Sequence, residues 1–478
     1  MYLGIDLGTS GVKATLIDDQ QTVLGSETVA LMVQRPAAMW SEQHPADWIA
    51  ATELAIAALA RTHNLTRLRG IGLSGQMHGA VALDAGGAVI RPAILWNDTR
   101  SHAEAAELDA LVDMRRLSGN IVFPGFTAPK LVWMAKHESH HFDRVATVLL
   151  PKDYLRLWLT GERVSEMSDA SGTSWLDVAA RDWSDTLLSA TGMRRDQMPA
   201  LVEGSAPSGN LRPELALRWG IEGPVVVAGG AGDNAATAVG AGTIGKGQGF
   251  VSLGTSGVVF AASDRYLPAP DTAVHAFCHA LPETWHQMGV ILSASAALEW
   301  LGSILQTRPA DLVATLGDLQ APGSEMFLPY LSGERTPHND ALARGMFAGL
   351  TPTTDRAAMT RAVLEGVAFA LADNLSALRT AGADLDALLA LGGGARSDYW
   401  LRLIATALDL PVLVPVGGDY GAAFGAARLG LMAATGAAPA DVCTAPDIAA
   451  EIKPDASLVP AFAEAHTRFR ALYPASRG

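Results

Sequence analysis

The sequence predicts an α/β protein built from two similar domains, and three observations carry that prediction. The chain has 478 residues, enough for two or more domains. Hydrophobic residues make up 49% and there are 48 glycines, which suits a large α/β enzyme rather than a disordered or fibrous chain. Finally, Leu7-Gly8-Thr9-Ser10-Gly11-Val12 recurs near mid-chain as Leu253-Gly254-Thr255-Ser256-Gly257-Val258. Each half therefore opens on the same unit, and a boundary near Gly245-Lys246-Gly247 gives domains 1–245 and 246–478.

The first copy sits between the apolar runs Tyr2–Ile5 and Val12–Ile17, so it reads as strand, tight turn, strand. Glycines let the main chain bend and approach a ligand. Amide N–H groups in such a turn can form an anion-binding nest, to which Thr9 and Ser10 add donors. No side chain in the turn is positive, and Asp6 stands just before it, where a bare phosphate would be repelled. A hydrated Mg²⁺ between carboxylate and phosphate resolves that conflict, so Asp6 is the candidate metal residue, acting through water. Lys13 either reaches a phosphate or, by strand alternation, points to solvent. A plain hairpin explains one copy. Two copies favour a nucleotide shared between the halves. The second copy has Ser252 in place of Asp6, so one turn would hold the metal side and the other the phosphate side.

Pro45–Leu59 has helical spacing and Leu68–Ser74 reads as a buried strand, which ends in Gly75-Gln76-Met77-His78-Gly79. The flanking glycines, Gly75 and Gly79, open space for a ligand beside His78; a satisfied structural histidine is the other reading. Another strand, Ala93–Trp96, exits into Asn97-Asp98-Thr99-Arg100. Gly125–Met134 contains a helix begun by Pro129, Val145–Leu150 is a strand, and Ser168–Thr173 is a polar loop. Pro224–Ala228 is a buried strand that runs into Gly229-Gly230-Ala231-Gly232-Asp233-Asn234 and a small-residue helix, Ala235–Gly242. Asp233 thus stands at a strand end and a helix start. There the helix dipole favours its ionised form and suits it as a general base; aspartate is also a preferred N-cap. In the second half Leu388–Leu391 is a strand entering Gly392-Gly393-Gly394-Ala395-Arg396-Ser397. Arg361–Leu371 is helical, and Gly421–Gly430 is a helix whose small residues allow close packing.

The paired turns resemble those of the actin/hexokinase/Hsp70 ATPase superfamily. Gln76-Met77-His78-Gly79, Gly125-Phe126-Thr127-Ala128-Pro129-Lys130-Leu131-Val132-Trp133-Met134 (which helix packing alone also explains), Gly232-Asp233-Asn234 and Leu364-Glu365-Gly366-Val367-Ala368-Phe369 are similar to segments of the FGGY carbohydrate kinases. The resemblance covers almost the whole chain, least clearly beyond Ala434. It implies two actin-like (ribonuclease H-like) domains with a catalytic cleft between them, which closes on the substrates and excludes water. It further implies ATP and Mg²⁺ as cofactors and a sugar acceptor that is a linear ketopentose, D-xylulose, with a ribulose or a polyol as the alternative acceptor within the family. Asp233 would take the proton from the sugar hydroxyl, with Met77, His78 and Asn234 contacting the sugar. Gly8, Thr9, Ser10, Lys13, Gly254, Thr255 and Ser256 would hold phosphates, and Gly393, Gly394 and Ala395 the adenosine side. The glycerol-specific members carry an Arg-Glu pair where this chain has Met77-His78. Ala231 departs slightly from the family's glycine run.

A net charge of −14 excludes nucleic acid and anionic membranes as expected partners. Two cysteines, Cys278 and Cys443, give no disulfide framework and fit a reducing cytoplasm. No signal peptide or membrane-spanning run is expected, and a homodimer is compatible with the sequence. His275, Cys278 and His279 form an incomplete set for structural zinc and read as core or loop residues. Neither a P-loop nor a protein-kinase motif set occurs. The rival from another class is an actin- or chaperone-like ATP switch, which needs no small-molecule acceptor. Gln76-Met77-His78 together with Asp233 argues against it.

Overall fold

In the computed structural model, residues 1–417 and 420–476 are described. A sheet begins with β1 (Tyr2–Leu7), β2 (Gly11–Ile17) and β3 (Val23–Ala30), continues through β4 (Gly70–Gly75), β5 (Pro207–Asn210) and β6 (Val226–Ala228), and ends with β7 (Ala231–Gly232). Its order is β5-β6-β4-β1-β2-β3, with β7 pairing with β4. The β1–β2 hairpin is antiparallel, whereas β4 runs parallel to β1, β6 and β7. Leu3, Ile5, Leu7, Val12, Ala14 and Leu16 are fully buried between helices, and burial stabilises each of the larger side chains by about 1.5–3 kcal/mol. Helix α1 (Pro45–Ala60) covers one face with Trp48, Ile56 and Leu59, its His44 cap accepting from Ala46 N–H. Helices α2 (Thr127–His137), α3 (Pro151–Thr160) and α4 (Asp233–Gly240) follow. The expected polar loop 168–173 is instead a buried turn of α-helix, Met167–Ala170, continued by a 3-10 turn, Ser171–Thr173. Glu166 caps it, accepting from the N–H groups of Ser168 and Asp169.

The second sheet has the order β10-β11-β9-β8-β12-β13-β14, where β8 is Gly249–Leu253, β9 Gly257–Ser263, β10 His275–Cys278, β11 Trp285–Ile291, β12 Leu388–Leu391, β13 Val412–Pro415 and β14 Ile448–Ile452. The β8–β9 hairpin is antiparallel and β12 runs parallel to β8, the pattern of β1, β2 and β4. Helices α5 (Ser295–Leu305), α6 (Pro309–Ala314), α7 (Arg356–Thr380) and α8 (Asp398–Leu408) accompany this sheet. Helix α7 runs well past the expected Arg361–Leu371 at both ends, begun by the Asp355 cap.

Helix α9 (Ala422–Thr435) changes the division expected from the sequence. The chain separates into one unit of 1–244, 277–285 and 419–445, and another of 245–276, 286–418 and 446–478. A cut at 245/246 assigns α9 to the second half, but α9 packs on β1 and β4 of the first. A Cβ on Gly4, Gly70 or Gly72 would overlap the α9 main chain at Ala423, Gly430 or Ala426. Gly425 makes the same backbone-to-backbone approach to Ala236 of α4. The small-residue face of α9 thus fits between the sheet and the helix that begins at Asp233.

Candidate active site

Strand register brings the first unit's site together. Asp6 lies beside Ser74, which lies beside Ala231; one residue on, Leu7, Gly75 and Gly232 form the next row. The Gly8–Ser10 turn, Gln76–His78 and Asp233 therefore all leave one edge of the sheet. Asp6 is half-buried. Burial, then the charge of Asp233, pushes its carboxyl up to about 6, against the pull of Ser74 and Lys13. Its Oδ1 has no hydrogen-bond partner. An orphaned carboxylate oxygen near a second carboxylate fits a cation held through water. Lys13 stands directly opposite Asp6 across the hairpin, so alternation places it on the face of the site and not away from it. Burial lowers its pKa, opposed by Asp6.

Asp233 is the first helical residue of α4, and Gly232 occupies the cap position. It is therefore not an N-cap. Oδ1 accepts from Asn234 N at 2.7 Å and from Asn234 Nδ2 at 2.9 Å. No described residue hydrogen-bonds Oδ2. Burial raises the pKa of Asp233 despite both Asn234 bonds. Burial thus opposes the pull of the helix start, whose first-turn dipole contributes about 0.3–1 kcal/mol.

Ser10 is exposed, but Thr9 differs from its expected role. Its hydroxyl donates to Gln76 Oε1 at 2.9 Å and accepts from Trp96 Nε1 at 2.9 Å. A hydroxyl has one hydrogen, so this one is not free for phosphate, and only the main chain of Thr9 can serve there. Gln43 completes the brace, accepting from Gln76 and Trp48 and donating to the Thr9 carbonyl. Gln43 and Trp96 were missed by the sequence reading because they lie 34 and 87 residues from the turn they hold.

Met77 is buried against Gly232, where a Cβ would sit 2.9 Å from its sulfur. His78 is half-buried with φ of 68°. Its Nδ1 lies 2.7 Å from the Gly172 carbonyl, and its ring stacks on Phe126 with centroids 4.5 Å apart.

Behind these groups is a fully buried charge cluster that sequence reasoning did not single out. Lys152 Nζ lies 2.7 Å from Asp153, 3.2 Å from Glu166 and 2.9 Å from Asp169. Arg156 pairs with Asp153 at 2.6 Å and also donates to the Gly229 carbonyl. Ser168 Oγ accepts from Gly232 N–H at 3.1 Å. The cluster thus grips both ends of the turn that delivers Asp233. Three carboxylates face two cations. Burial pushes the Asp169 carboxyl up to about 8, while the Asp153 carboxyl stays below its ordinary value, held there against burial by Lys152 and Arg156.

In the second unit the repeated turn and the glycine loop meet at one cavity of about 830 Å³. Gly254, Thr255, Gly393 and Gly394 line it; Ser256 and Ala395 do not. Gly392 has φ of 88°, and a Cβ there would strike the Leu253 main chain, so this turn requires glycine. The carbonyls of Gly254 and Thr255 accept from Ser295 and Ala294 N–H at the start of α5. Leu298, Pro309, Ala310 and Val313 form an apolar wall, with Tyr399 and Trp400 also lining the cavity. That chemistry suits a flat heterocycle. The wall was not legible because the apolar face of α6 looks like ordinary core.

His279 is fully buried, with Nε2 3.2 Å from the Thr243 carbonyl, and burial holds its pKa down to about 4. The Cys278 thiol, pushed up to about 11, donates to the Val178 carbonyl. Both are core groups, as is buried His275. Among the described residues no three His, Cys, Asp or Glu side chains are grouped to hold a metal ion. No helix of the described residues is long and apolar enough to cross a membrane.

Residues 1–240 match the N-terminal domain of the FGGY family of carbohydrate kinases, and residues 249–434 match its C-terminal domain. The chain is 51% identical over 437 residues to the xylulose kinase of Escherichia coli (strain K12), covering 91% of this chain and 90% of that one. It is 51% identical over 432 residues to the xylulose kinase of Klebsiella pneumoniae, covering 90% and 89%. Among solved structures it is similar to a xyloylose kinase from Brucella ovis, at 61% identity and a TM-score of 0.98 with 99% of each chain covered. It also resembles the xylulose kinase from Rhodospirillum rubrum, at 29% identity and a TM-score of 0.92, covering 99% of this chain and 98% of that one.

Proposed function

The chain belongs to the FGGY family of carbohydrate kinases, and on that footing we propose that it transfers the γ-phosphoryl group of ATP to D-xylulose, giving D-xylulose 5-phosphate. The carrying observation is Asp233. It is a half-buried carboxylate with one oxygen fixed by Asn234 and the other without a hydrogen bond among the described residues, and it follows Gly232 at the sheet edge where the strands of Asp6 and of Gly75 also end. Similarity to relatives that phosphorylate xylulose supports the acceptor.

Phosphoryl transfer needs positioning and charge neutralisation more than covalent help from the protein. Asp233 Oδ2 accepts the proton of the attacking hydroxyl. His78 and Asn234 bind sugar hydroxyls, and Met77 supplies an apolar wall for the carbon face. The main chain of Gly8–Ser10, with Lys13, binds phosphate. Gly254, Thr255, Gly393 and Gly394 line the place of the nucleotide, with Ser256 and Ala395 beside it. Asp6 would hold Mg²⁺ through water; the metal neutralises phosphate charge. Two cysteines, both buried and free, suit a reducing cytoplasm.

A sugar panel tests the acceptor. A site built to pair particular hydroxyls rejects analogues that leave its own groups unpaired, by up to ~10⁴. D-Xylulose should give the highest kcat/KM among D-ribulose, L-ribulose, L-xylulose, glycerol and D-xylose. A tenfold preference for another sugar would replace the substrate and keep the kinase. ATP consumption indifferent to every sugar would remove the kinase reading. Asp6→Asn is expected to raise the Mg²⁺ concentration for half-maximal rate several-fold, leaving D-xylulose binding nearly unchanged. An unaltered Mg²⁺ titration at unaltered rate would rule out the metal role.

A further inference from the structure

We infer that Thr127 and Lys130, in the first turn of α2, are positioning residues for the acceptor, acting through His78. The inference rests on the reading of His78 as a sugar contact. A non-glycine residue at φ of 68° is held in a conformation that costs about 1–3 kcal/mol, so neighbouring groups must hold it there. The structure supplies them. The His78 carbonyl accepts from Thr127 Oγ1 at 3.1 Å and from Lys130 Nζ at 2.8 Å. Lys130 also donates to the Gly125 carbonyl at 2.5 Å, tying the residue before Phe126 to the same ammonium. Phe126 carries the His78 ring on its face.

These contacts set the chemistry of the ring as well as its place. With Nδ1–H donating to the Gly172 carbonyl, neutral His78 keeps its lone pair on Nε2, which makes that nitrogen an acceptor for a sugar hydroxyl. A Cβ on Gly172 would collide with the His78 ring, so the approach needs glycine there. Both Thr127 and Lys130 are fully buried and so cannot act by touching substrate directly. Burial, opposed by the charge of Asp98, brings the Lys130 pKa down to about 7, and the amine donates to both carbonyls with or without its third proton. Gly125–Trp133 thus has a use beyond helix packing: it is the mount of a substrate-binding histidine.

A double-mutant cycle decides the point, because residues acting through one another are not additive. Thr127→Val should raise the KM for D-xylulose by roughly 2–10-fold, the effect of losing one hydrogen bond. The KM for ATP should not move, and Thr127→Ser should restore the sugar KM. In a His78→Ala background Thr127→Val should add nothing. Lys130→Met should act in the same direction more strongly; Thr127→Val keeps the test available where that variant does not fold. Additive effects in the double mutant, or an equal rise in the ATP KM, would overturn the inference while leaving the sugar site intact. If His78→Ala alone leaves the D-xylulose KM unchanged, the sugar-contact reading of His78 falls first, and this inference with it.

Discussion

Asp233→Ala is expected to lower turnover by about 10²–10⁴-fold, the usual contribution of a positioned general base, with the fold and ATP affinity kept. Asp233 makes its hydrogen bonds to its own neighbour, Asn234, so no distant element depends on its side chain. Asp233→Asn should be nearly as inactive, since an amide keeps the shape and cannot take the proton. The pH profile carries the sign. Burial raises the Asp233 pKa, and Asp6 nearby lies up at about 6. A base must be ionised to act, so the rate should fall as pH drops through these raised values, earlier than for an ordinary carboxylate. A bound divalent cation would move that acid limb down by favouring both ionised forms. Turnover measured with thermal melting checks the assignment. A variant that melts normally and turns over near the wild-type rate would remove Asp233 from the chemistry.

What could be read from the sequence was whatever is local or repeated. The Leu-Gly-Thr-Ser-Gly-Val pattern fixed two hairpins because turn glycines and flanking apolar runs act within ten residues. Asp233 was legible as the residue between a buried strand and a small-residue helix. What resisted reading depends on partners far along the chain. The Thr9 hydroxyl looked like a phosphate donor until Gln76 and Trp96, 67 and 87 residues away, took up both of its roles. Helix α9 belongs with β1 and β4 because glycines on both sides permit contact, and no local signal says which sheet a small-residue helix will meet. The charges at 152, 153, 156, 166 and 169 have the spacing of an ordinary solvated surface, yet all are fully buried.

That cluster carries the largest expected effect on stability. Lys152→Met should destabilise the protein by about 3–5 kcal/mol, the cost of leaving buried carboxylates without their cation. Asp169→Asn should be far milder, for a reason of charge balance. Lys152 and Arg156 supply two positive charges; Asp153, Glu166 and Asp169 would supply three negative ones. Asp153 is paired with both cations, and Glu166 accepts from Ser168 and Asp169 N–H as a helix cap. Asp169 lies 2.9 Å from Lys152 but neither of its oxygens has a well-directed hydrogen bond. It is therefore the carboxyl that keeps its proton, in line with its rise to about 8. An unfolded aspartate titrates near ~3.9. The folded value is the higher one, so the contribution of Asp169 to stability is complete below ~4 and is lost as pH rises through about 8. Asparagine mimics the neutral acid, and Asp169→Asn should flatten this part of the stability–pH curve, with little loss at pH 6. Denaturant melts of wild type, Asp169→Asn and Lys152→Met between pH 5 and 9 separate the cases (a pH range set by the titration of Asp169). An Asp169→Asn protein as damaged as Lys152→Met, or one with an unchanged pH slope, would mean that all three carboxylates are ionised and that the turn before Asp233 is held by a net negative cluster.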